Sequence, residues 1–144
     1  MPGDPGPEVD QGVDRDIDPA IAEVAYAVVR QYIAGLNARD GAAINDAFNF
    51  PHFRIGADGN VIHYRDAGAD HLGNFRKLTA KDGWDHTVID DMRAVFTSPT
   101  KVHLNLDFRR LRADGSEIGA YFSLYIITRI DGHWGIQGGS GTGT

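Results

Sequence analysis

The sequence predicts an α+β domain, with helices gathered in the first half and antiparallel strands in the second. Two observations carry this. An apolar stripe at helical spacing opens the ordered part of the chain, and three Asp-Gly pairs (Asp58-Gly59, Asp114-Gly115 and Asp131-Gly132) sit between β-rich runs. Segregated helices and strands exclude the alternating pattern of a parallel βαβ fold.

The first helix starts at Asp18-Pro19, a capping side chain followed by the residue favoured at the first helical position. Ile21, Val24, Ala25, Val28, Tyr32 and Leu36 then recur at three- and four-residue steps, flanked by Val29 and Ile33. The stripe stops at the segment Asn37 to Gly41. Asp40 caps a short second helix, expected from Gly41 to Phe48 and ending before Pro51. Asp58-Gly59 supplies the positive φ of a hairpin joining Phe53–Gly56 to Asn60–Tyr64. A third helix is expected from Asp66 to about Lys81, with Leu72, Phe75 and Leu78 inward and Gly68 and Gly73 weakening it. Four runs complete the chain: Trp84–Thr97, Lys101–Arg112, Glu117–Ile130 and His133–Gly138. Residues 1–17, rich in Pro, Gly and Asp, are expected as a disordered acidic tail, 18–140 as a single domain, and 141–144 as a flexible terminus.

Composition removes several classes of function. With 144 residues and no cysteine, the chain has neither disulfides nor thiolate metal sites. The formal net charge of -6 argues against nucleic acid or an anionic membrane as partner. No apolar run approaches the ~18 residues of a membrane span and no secretory signal opens the sequence, so a cytoplasmic location is expected. Six histidines show no metal-ligand spacing, and no cofactor is expected. The terminal Gly-Gly-Ser-Gly-Thr-Gly lacks the lysine and following helix of a phosphate loop.

Element order, the segment Leu36-Asn-Ala-Arg-Asp-Gly-Ala-Ala-Ile44 and the ending Asp131-Gly-His-Trp-Gly-Ile136 resemble the NTF2-like superfamily, in particular its SnoaL-like group. The likeness covers about residues 18–140. It implies a strongly curved antiparallel sheet wrapped around three helices, leaving a cone-shaped cavity open at one end. Such proteins include isomerases, cyclases and dehydratases as well as non-catalytic modules.

Candidate site residues follow from strand alternation. In Trp84–Thr97 the even positions are the apolar ones, which places His86 and Asp90 among hydrophobes, beside Trp84 in the cavity. A desolvated carboxyl or imidazole is raw material for acid–base work, so His86 and Asp90 are candidate catalytic groups, the alternative being structural groups that bond a helix end, a tyrosine hydroxyl or a trapped water. Tyr32 is similar in place to the oxyanion-stabilising tyrosine of steroid isomerases, whose two acids would fall at Gly56 and Ile126 and are absent. Trp84, Tyr64 and His52 are candidate ligand-binding residues. His52 and Arg54 share one face of a strand and Phe53 and Ile55 the other; if the apolar pair faces the core, the polar pair faces solvent or a neighbour. Arg109, Arg110 and Arg112 are expected as a solvated rim. Tyr121 to Ile127 is apolar at both parities, so its outer face is expected to pair with a second copy, and the orientation of Tyr121 and Tyr125 stays open. The expected partner is a small apolar or aromatic ligand, acted on by proton transfer or simply bound.

Overall fold

The computed structural model describes residues 16–142. The acidic tail expected over residues 1–17 therefore lies almost wholly outside the described residues, as do residues 143–144. Helix α1 spans Pro19–Asn37, with the Asp18 carboxylate accepting from the amides of Ala20 and Ile21. Its buried face runs through Ala22, Ala25, Val28, Val29, Tyr32, Ile33 and Leu36, whereas Val24 points outward. Helix α2, Gly41–Asp46, is capped by Asp40 and ends earlier than the sequence suggests. The chain then enters strand β1, Phe48–Ile55, and turns into β2, Val61–Tyr64. Helix α3 forms only over Gly73–Asp82; the glycine-bearing stretch before it stays irregular.

Strands β3 (Trp84–Thr97), β4 (Lys101–Arg112) and β5 (Glu117–Ile130) have the expected bounds. Strand β6, His133–Gly141, runs past Gly138, and Thr142 still donates to the Phe122 carbonyl. The terminus expected to be flexible is thus sheet as far as Gly141. The six strands form one sheet in the order β2-β1-β6-β5-β4-β3. Five strand pairs join this sheet, four antiparallel and one, β1 with β6, parallel, which the sequence pattern did not show.

Curvature comes from register breaks. β3 shifts against β4 between Trp84 and His86, Ile89 and Asp91, and Ala94 and Phe96. Each extra residue bends the strand and moves the residues after it to the other face. The concave face packs on α1 through Ala94, Leu104, Leu106 and Ile127, all in one hydrophobic core. Asn37 fixes the end of α1 to β3: its side-chain amide donates to the Thr87 carbonyl and its oxygen accepts the Thr87 amide, at 2.9 and 2.8 Å. Gly135 is needed where β6 meets the start of β1, since a Cβ there would lie 2.7 Å from the Phe48 carbonyl carbon.

Candidate functional site

A cavity of about 460 Å³ lies between the concave sheet face, α1 and α3. Buried Tyr32, Leu36, Phe48 and Tyr125 form its floor. Phe108 and Arg110 of β4 and Ser123 of β5 line one wall, and Phe75 and Leu78 of α3 face them. Exposed Asp58, Asn60, Lys77 and Lys81 mark the mouth. Gly139 opens the floor, because a Cβ there would lie 2.9 Å from the Tyr125 ring. Without it the ring could not lie back over β6.

Two guanidinium groups reach this space. Arg54 lies across from Gly139, which in turn pairs with Tyr125, so the three share one row of the sheet. Its Cζ sits 5.0 Å from the Tyr32 ring centre, 5.2 Å from Tyr125 and 5.5 Å from Phe48, at cation–π distance. Its Nε donates to His52 Nε2 at 3.2 Å, and one terminal nitrogen is buried without a partner among the described residues. Burial works against the charge on Arg54, but the surrounding tyrosines hold its pKa above the ordinary guanidinium range. It is a cation at every working pH.

His52 is 0 % exposed and stacked on Phe48 at 3.8 Å between ring centres. The Ile136 carbonyl, 2.8 Å from Nδ1, can only accept, so Nδ1 carries the proton and Nε2 accepts from Arg54. Burial first, and the Arg54 charge second, lower its pKa to about 3. His52 is therefore a neutral strut for Arg54, with both nitrogens engaged.

Arg110 is only 5 % exposed. Its guanidinium lies 4.7 Å from Tyr121 and about equally far, 5.5 and 5.6 Å, from Phe75 and Phe108. Its Nε–H is buried with no partner among the described residues. Burial lowers its pKa, opposed by the nearby tyrosines. Burial likewise raises the pKa of the Tyr125 phenol, which stays protonated. Among the described residues no group of three or more His, Asp or Glu could hold a metal ion, and no helix is long and apolar enough to cross a membrane.

A family model described as NTF2-like protein (DUF6841) matches residues 22–142. The chain belongs to this NTF2-like family. Similar solved structures agree in fold. Aln2 from a Streptomyces species is 14% identical, with 89% of this chain and 94% of that one covered and a TM-score of 0.69. A cystatin-like protein of unknown function from Nostoc punctiforme is 11% identical, with the same coverage and a TM-score of 0.68. An NTF2-like protein of unknown function from Pseudomonas putida is 10% identical, covers 85% of each chain and scores 0.65. None of the curated proteins compared by sequence matches the chain.

In this NTF2-like protein the expected acid–base pair does not face the cavity. The bulge after Trp84 turns His86 to the convex side, where it is half-buried and its Nδ1 lies 2.9 Å from the Asp85 carboxylate. Asp90 occupies the second bulge and is exposed, held by Arg109 through three contacts of 2.9–3.0 Å. The Arg109 hydrogen bonds hold its carboxyl below the usual range. Strict alternation fails here because three extra residues interrupt it. Trp84 is core rather than cavity lining: its Nε1 donates to Thr87 Oγ1 at 3.0 Å, and Arg39 covers its ring at 4.2 Å. Tyr32 and Tyr64 do line the cavity. His52 sits behind the wall, and the assignment of faces in β1 reverses: His52 and Arg54 point inward, while Ile55 is exposed. The β1 register explains this, since Phe48 faces Ile136 and Phe53 already faces Gly138, an irregular stretch that defeats simple parity.

The solvated rim also needs correction. Arg109 is on the convex face, Arg112 donates to the Asp82 carbonyl, and Arg110 points inward. The signal for Arg110 was present in the sequence: Val102, Leu104, Leu106, Phe108 and Arg110 are one uninterrupted alternation. Tyr121 and Tyr125 pair with Phe108 and Leu104, which puts both on the concave face.

Proposed function

We propose that this NTF2-like protein binds a small organic molecule inside the cone, and that it acts as a receptor or carrier rather than through the acid–base pair expected from β3. The supporting observation is the cavity itself, about 460 Å³, lined by aromatic rings together with two arginines and several hydroxyl groups. What those groups can do chemically favours binding. Arg54, Arg110, Tyr32 and Ser123 donate hydrogen bonds, and His52 has neither a free nitrogen nor a proton affinity near neutrality. The one carboxylate at the mouth, Asp58, already accepts from the amide and side chain of Asn60.

The test is a titration with N-phenyl-1-naphthylamine, a neutral fluorescent aromatic, against the wild type and Ser123→Phe. Ser123 is buried in the wall, so a phenyl group there occupies cavity space while circular dichroism checks the fold. Saturable one-to-one binding in the wild type, lost in a folded Ser123→Phe, supports the reading. Equal binding by both proteins, or none by the wild type, contradicts it.

The convex face supports a second reading, a homodimer. Phe122 is 40 % exposed there, beside partly buried Leu124 and Ile126 on the same face of β5. A second copy laid across it would remove that apolar surface from water.

A further inference from the structure

The chain carries a formal charge of -6, yet among the described residues the charged groups lining its cavity are four cations, Arg54, Arg110, Lys77 and Lys81, against the single acid Asp58. Two of the cations are inside the cavity and two at its mouth, an arrangement that focuses positive potential inward. The ion pairs of the described residues use Arg76 and Arg109 but neither Arg54 nor Arg110. Phenol oxygens lie beside them, Tyr32 and Tyr125 for Arg54 and Tyr121 for Arg110, and each guanidinium keeps one buried nitrogen, a terminal one of Arg54 and Nε of Arg110, without a partner among the described residues. Burying a cation with no carboxylate beside it is costly, and a chain that turns two such guanidiniums toward one cavity has left room there for an anion from outside.

We propose that the ligand of this cavity is an organic carboxylate, an aromatic or alicyclic acid whose carboxylate lies between Arg54 and Arg110 and whose ring fills the space among Phe48, Phe75 and Phe108. The inference rests on the proposed binding function and adds the ligand's charge to it. Both guanidiniums sit against aromatic rings, and the planar fork of N–H groups that an arginine presents suits a flat, singly charged carboxylate. His52 serves this site as a positioning residue, because its acceptor at 3.2 Å fixes the plane of Arg54. Lys77 and Lys81, exposed at the mouth, attract the anion toward the cavity.

The experiment is displacement of N-phenyl-1-naphthylamine by 2-naphthoate, by 2-naphthalenemethanol and by 2-naphthyl phosphate, which share one ring system. The acid is expected to displace the probe at least about tenfold more tightly than the alcohol, the factor equivalent to one charge-assisted hydrogen bond. Arg110→Gln is expected to bring acid and alcohol within about threefold, and Arg110→Lys to restore part of the preference, both variants being checked for fold. Equal displacement by acid and alcohol in the wild type overturns the anionic ligand while leaving the cavity as a binding site. A phosphate preferred over the acid overturns the choice of carboxylate. Failure of the neutral probe itself to bind counts against the binding function instead.

Discussion

Acidification should destabilise this protein through His52 in a window that the imidazole itself defines. Unfolded, the ring titrates at its ordinary 6.5; folded, it titrates at about 3, because burial and Arg54 oppose a second proton. Below pH 6.5 the unfolded chain takes up a proton that the folded chain refuses. The stability associated with neutral His52 is therefore present above 6.5 and lost as pH falls toward the folded value. Each pH unit in that window is worth 1.36 kcal/mol, so going from pH 7 to pH 4 should remove about 3 kcal/mol from this one residue. His71 and His103 are also lowered by burial and add to the slope, so the wild-type curve alone is not diagnostic. The assay is urea denaturation of wild type and His52→Gln at half-unit steps from pH 7 to pH 4. The variant should be less stable at pH 7, and the gap should shrink by about 3 kcal/mol by pH 4. Two curves running parallel across the window would refute a neutral, buried His52.

Other outcomes follow from the same geometry. Arg110→Met should raise the urea midpoint of the ligand-free protein, by about 1–2 kcal/mol of stability, since it removes an unsatisfied buried donor while keeping the side chain's volume; a loss of stability would mean that Arg110 is paired internally. Gly135→Ala should cost about 3 kcal/mol in urea denaturation, because the new methyl meets the Phe48 backbone, which cannot swing aside; a neutral effect would place β1 farther from β6. Asp90→Asn and His86→Asn should leave probe affinity unchanged in fluorescence titrations, since both side chains lie on the convex face; a loss of affinity would return them to the cavity. Phe122→Asp should lower the mass measured by light scattering to that of a monomer, and a wild type already monomeric at high concentration would contradict the dimer.

The parts of this structure that obey one period were legible in the sequence, and the parts that break it were not. Helix α1 announces itself through its cap and wide stripe, and β4 through unbroken alternation from Val102 to Arg110. The bounds of β3, β4 and β5 were legible because Ser98-Pro99-Thr100 and Asp114-Gly115 mark the turns between them. Side-chain direction in β3 was not. A bulge leaves no mark in composition, and one extra residue at Asp85 is enough to send His86 outward and Thr87 inward. β1 hides its purpose for a related reason: between Phe48 and Phe53 it gains residues on β6, and its parallel partner lies more than eighty positions away. Two arginines on a cavity wall also defy the expectation that Arg belongs at the surface. The β4 alternation already points Arg110 inward, whereas only the contact with His52 reveals the place of Arg54.

The most direct measurement is a side-chain ¹H–¹⁵N spectrum of the arginine Nε–H groups during titration with 2-naphthoate. A cavity holding the acid between two guanidiniums should move the Arg110 Nε–H resonance most, shift Arg54 as well, and leave Arg109 and Arg112 unchanged. Shifts confined to Arg109, Arg112 or other surface arginines, with Arg54 and Arg110 silent at saturation, would contradict an occupied cone.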